Sequence, residues 1–100
     1  PIVVLMHYSP IRATVEGEAW EIIPFLGSSR LEMPLTWFDV IAVFHGHAHH
    51  GSLEGHASRN IPVYNVALPL LRLLYSERLP FRVLEVEVSP PETDEAADLQ

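Results

Sequence analysis

Two short apolar runs constrain this chain more than any other feature. PIVVLM at positions 1–6 and VIAVF at 40–44 are unbroken, rich in β-branched residues and too short for an ordinary helix. Each reads as a buried strand, and each runs straight into histidine: His7 after the first, then His45, His47 and His49 after the second. A third strand is expected over IPVYNVA, with Gly55 and Asn60 as turn signals before it. A short helix is expected from a cap at Ser28 or Ser29 to about Asp39, held to its early turns by Pro34. LPLLRLLYSERL fits a helix after Pro69 or an extended segment, and FRVLEVEV alternates as a half-exposed strand does. Strands separated by irregular and helical connections predict an α/β layered fold.

Composition narrows the function. With no cysteine, disulfides, thiolate metal sites and thiol nucleophiles are excluded. The net charge is −7 and all six basic residues are scattered arginines, so the chain has no nucleic-acid patch. A cytoplasmic protein would show this lack of cysteine, and no apolar run approaches the ~20 residues that span a bilayer, which predicts no membrane segment. Residues 89–100 carry Glu92, Asp94, Glu95 and Asp98 with no basic residue, and read as an acidic disordered tail. Because the chain opens inside an apolar strand, it also reads as a fragment.

Four of the six histidines fall within FHGHAHHGS. Sites in open α/β sheets gather at the carboxyl ends of strands, and imidazole is a common ligand for zinc, iron and manganese. Alone, His7 reads as a polar cap on a core strand. The Gly-His-Ala-His run reverses that reading, because paired rings after a buried strand need compensation. In extended backbone His47 and His49 lie roughly 6.6 Å apart on one side, a span that can straddle two metals about 3.5–4 Å apart. Gly46 gives room for backbone to approach the ions and can take angles closed to other residues. His45 is expected beside the site or at the surface, His50 in solvent or at a cleft mouth, and His56 in a turn. Asn65 reads as an amide closing a turn, or as a second neighbour of the site. Ser29 and Arg30 read as capping and surface residues before phosphate contacts, and Glu16, Glu18 and Glu21 as loop carboxylates in solvent.

In order, VVLMHYSP, FHGHAHHGSLEG and IPVYNVALPLL resemble the C-terminal portion of calcineurin-like metallophosphoesterases, over residues 1–88. The lone His after a strand matches His7, and the Gly-His-x-His block matches Gly46 to His49. The resemblance implies part of a four-layer α/β/β/α sandwich of mixed sheets. It also implies a phosphatase or phosphodiesterase that hydrolyses a phosphate mono- or diester with a hydroxide activated between two divalent ions (Mn, Fe or Zn). His7 and His47 would ligate one ion and His49 the other. The family's Asp-x-His, Gly-Asp and Gly-Asn-His-Asp/Glu blocks do not occur here. No catalytic residue is therefore assigned, since the family's catalytic histidine lies in an absent block. The chain alone is expected to be inactive, needing the missing N-terminal half as partner, while its exposed strands could pair it as a homodimer. The alternative is a non-catalytic, degenerate metal-binding or partner-binding domain.

Overall fold

The computed structural model describes residues 1–19, 21, 23–25, 27 and 29–87. The cap expected at Ser28 and the tail expected over 89–100 lie outside the described residues.

The fold is mixed α/β, built on one four-stranded sheet. Its strands are β1 (Ile2–Met6), β2 (Val40–His45), β3 (Glu54–Ala57) and β4 (Ile61–Asn65), in the order β1-β2-β4-β3. β1, β2 and β4 run parallel, and β3 returns antiparallel on β4. The helices are α1 (Glu32–Leu35) and α2 (Leu68–Leu74). Single 3₁₀ turns occupy Ala13–Val15, Ile23–Phe25, Ser29–Leu31 and Ser58–Asn60.

Register and the two-residue alternation of strands fix which side chains share a face. Val4 pairs with Val43, Val43 with Val63, and Gly55 with Val63. That face carries the core, where Val43 and Val63 are fully buried with Leu35, Ala57 and Ile61, flanked by Val4, Met6, Ile11 and Val40. Burying one such side chain is worth roughly 1.5–3 kcal/mol. Residues 9–15 cross this face, bringing Ile11 and Thr14 against Gly55. The opposite face carries Phe44 stacked on Tyr64 at 5.2 Å, with the Arg82 guanidinium over the Tyr64 ring at 4.4 Å. Towards β1 that face is open: Val3 is 47% and Leu5 79% exposed.

Four expectations are corrected. PIVVLM does form a strand, but among the described residues it lies at the sheet's edge with one neighbour, and it is largely exposed rather than buried. The helix before β2 is one 3₁₀ turn and four residues ending at Leu35, not a helix to Asp39. Past Leu35 the N–H groups of Thr36 and Trp37 turn back only three residues, to the carbonyls of Met33 and Pro34, instead of continuing the α-helical ladder. Gly55 and His56, expected in a turn, lie inside β3, which exists because it pairs with β4 rather than because its residues favour strands. Among the described residues of FRVLEVEV no strand forms. Arg82 and Leu84 are half-buried between exposed neighbours, so the alternation survives without a sheet partner. The ambiguous LPLLRLL segment is α2, with Pro69 in its first turn and Leu70 and Leu71 buried.

Candidate metal centre

The site begins with register. Met6, His45 and Asn65 are aligned across the carboxyl ends of the three parallel strands. One residue past Met6 stands His7, and two past His45 stands His47. Their rings stack with centroids 4.3 Å apart and planes 30° from parallel. Tyr8 meets both rings edge-on, at 4.9 Å from His7 and 5.6 Å from His47. His7 and His47 are exposed, so the pair opens to solvent.

His47 takes a left-handed backbone, φ 67°, a conformation that costs a non-glycine residue about 1–3 kcal/mol. The turn is closed by the Ala48 N–H donating to the Gly46 carbonyl at 2.8 Å. Here the expectation for Gly46 is corrected. Its own φ is not positive, and a Cβ there would meet nothing within 4 Å. The unusual angles fall on His47 instead, and on Gly51 at φ 111°.

Beneath the exposed pair lies a buried polar knot. His45, expected beside the site or at the surface, is 1% exposed on the core face. Its Nδ1 lies 2.9 Å from the Gly46 carbonyl, which can only accept, so in the neutral ring Nδ1 carries the hydrogen. Nε2 then accepts from the Thr14 hydroxyl at 2.7 Å. Thr14 Oγ1 is also 2.7 Å from Ser9 Oγ, which donates to the Ile11 carbonyl at 2.6 Å. Ring and hydroxyls thus bring three hydrogens to four short contacts, and Ser9 shares its one hydrogen between two acceptors. A protonated ring would complete the count, but burial wins: desolvation holds the His45 pKa below 6.5, against a smaller upward pull from Gly46.

Asn65 is the second half of the knot. It is fully buried, and its amide group donates to the carbonyls of Thr14 and Ala48, both at 3.0 Å, and of His50 at 3.4 Å. Its Oδ1 accepts from the Ala67 N–H at 3.0 Å, the turn-closing contact expected of it. The carbonyls on either side of His49 are therefore gripped by one side chain. Gly51 passes so close that a Cβ there would sit 2.2 Å from the Thr14 oxygen. On the outside, Glu18 accepts from the His50 N–H at 2.8 Å.

The structure brings His7 and His47 together and leaves His49, His50 and His56 exposed on the loop and on β3. Among the described residues, no group of three or more His, Cys, Asp or Glu side chains is arranged to hold a metal ion. The residues present fit part of a metal site: two imidazoles face each other without a carboxylate completing a group. Sequence reasoning missed Ser9, Thr14 and Tyr8. Ser9 and Thr14 join the site only through tertiary folding, since Thr14 meets His45 across 31 positions. Tyr8 was signalled only by its place beside His7. No helix among the described residues is long and apolar enough to cross a membrane. No protein-family model, curated protein or solved structure matches this chain.

Proposed function

We propose that this chain is the C-terminal part of a metal-dependent phosphoesterase, contributing His7 and His47 as ligands of one divalent ion and His49 towards a second. One observation carries the reading. The two histidines that the family resemblance assigns to the same ion are the two whose rings lie 4.3 Å apart, at the carboxyl ends of adjacent parallel strands. His7, His47 and His49 would hold divalent ions there, and such ions would supply Lewis-acid polarisation of a phosphoryl oxygen. The chain's own residues do the positioning. Asn65 fixes the backbone on both sides of His49, and the His45–Thr14–Ser9 chain ties residues 9–15 to the loop. Strain at His47 is held by this surrounding knot. The open, apolar second face around Val3 and Leu5 supports a four-layer sandwich, in which another sheet would cover it.

The non-catalytic alternative is favoured by the lack of a group of three or more ligand side chains among the described residues. A hydrolysis assay separates the two readings. With Mn²⁺ and a chromogenic phosphodiester or monoester, the 100-residue chain alone should show no turnover. Adding a polypeptide that carries the Asp-x-His, Gly-Asp and Gly-Asn-His-Asp/Glu blocks should produce turnover, and His47→Ala should abolish it. No turnover in the combined system would favour the non-catalytic reading. Robust turnover by the chain alone would place the catalytic groups among the residues described above.

A further inference from the structure

Described residues between Ile11 and Ser29 line a cavity of about 430 Å³ beside the histidine loop, within the range of roughly 300–1,000 Å³ typical of small-molecule sites. Its apolar wall is Ile11, Val15, Ile23 and Pro24, and exposed Arg12 and Glu21, one of each sign, also line it. The cavity's wall packs against the loop of the candidate centre. Val15 packs with Ala48, the residue between His47 and His49, Ile23 packs against that pair, and Thr14 next to Val15 holds His45. A molecule in the cavity therefore rests on the same segment that orders the histidines.

We infer that this cavity seats the organic group of the phosphoester, and that this group is an apolar, ring-bearing alcohol. The inference rests on the phosphoesterase reading and deepens it. A sugar or other polyhydroxyl body needs wall groups all round to replace its bonds to water, and a wall that is mostly apolar, with polar side chains only at Arg12, Glu21 and Ser29, offers few. A ring system gains from the same wall by leaving water. The paired signs of Arg12 and Glu21 give the cavity no net preference for a second anionic group. The phosphate thus belongs outside it, towards His7 and His47.

The test is a nitrogen-amide and methyl NMR titration of the full chain, with Zn²⁺ present, using 1-naphthyl phosphate, 1-naphthol and inorganic phosphate. Both naphthyl compounds should shift the Ile11, Val15 and Ile23 methyls, while only the phosphates should shift the His7 and His47 ring signals. Ser29→Trp and Pro24→Trp place bulk at exposed positions lining the cavity and should weaken 1-naphthyl phosphate about tenfold or more, a change of ~1.4 kcal/mol. Ser76→Trp, also exposed but not part of the lining, should not, and circular dichroism checks that all three variants fold. Histidine shifts without cavity shifts, and with both lining variants binding normally, would overturn the cavity assignment and leave the phosphoesterase reading standing. Cavity shifts with silent histidines would overturn the phosphoesterase reading and, with it, the assignment of this cavity to a phosphoester.

Discussion

Replacing Asn65 by alanine should be among the most damaging single changes in this protein. The variant strips partners from the Ala67 N–H and from the Thr14 and Ala48 carbonyls, and weakens a longer contact to His50. Asn65, Ala48, Ala67 and Thr14 are all buried, so water cannot easily replace what is lost. An orphaned buried group costs about 1–3 kcal/mol, with carbonyls at the lower end. Together with the space left by the amide, the loss should be about 3–5 kcal/mol, a large share of the ~5–15 kcal/mol that holds a typical domain. Asn65→Asp leaves no cavity and keeps the acceptor for Ala67, but turns its second oxygen towards the carbonyls of Thr14, Ala48 and His50. It should be comparably destabilised at neutral pH. Urea unfolding of the two variants against the parent gives the free energies. Histidine NMR signals at low urea report whether the loop around His49 has lost its single conformation. A loss below ~1 kcal/mol with unchanged loop signals would refute the argument that Asn65 organises this loop.

Three further outcomes follow from the same geometry. Because burial lowers the His45 pKa below 6.5, the unfolded chain takes up a proton more readily than the folded one. Stability should be full above that value and fall as pH drops from it through the folded value, a loss that His45→Gln should remove in denaturant titrations between pH 8 and 5. Gly51→Ala should cost about 2 kcal/mol or more, since its Cβ would overlap the Thr14 oxygen at a φ of 111°. Gly46→Ala, with open space at that point, should stay within about 1 kcal/mol, and equal thermal shifts for the two glycines would contradict this. Leu5, 79% exposed on the edge strand, should drive self-association. Leu5→Lys should therefore lower the sedimentation-measured mass at high concentration while changing stability by no more than about 0.5 kcal/mol.

What the sequence made legible was the part written in local chemistry. VIAVF and IPVYN are β-branched runs, and both are strands whose carboxyl ends meet in register. The association of His7 with His47 follows from such strand ends lying side by side. Position within the sheet was not legible. PIVVLM has the composition of a central strand, yet it is the edge, because nothing among the described residues pairs with its far side. Glu54-Gly55-His56-Ala57 has no strand-favouring residue and is a strand only through its antiparallel bonds to β4. The buried knot was equally hidden. Ser9 and Thr14 sit in a proline- and glycine-broken stretch that reads as solvent loop, and only the chain's return across the core face brings them to His45. The left-handed turn at His47 was not legible because the neighbouring Gly46, with no Cβ, is the residue whose chemistry suits such angles.

The central claim is that His7 and His47 serve one ion, and a double-mutant cycle of Zn²⁺ binding addresses it most directly. Calorimetric titrations of the parent, His7→Ala, His47→Ala and the double variant would be compared with His56→Ala, an exposed histidine on β3. If both rings share an ion, each single change should weaken binding about tenfold or more. The double variant should then lose little beyond either one, because the second ligand has no bound ion left to serve. His56→Ala should bind as the parent does. Losses that simply add, or equal affinity in all five proteins, would contradict the claim that the stacked pair is a metal site.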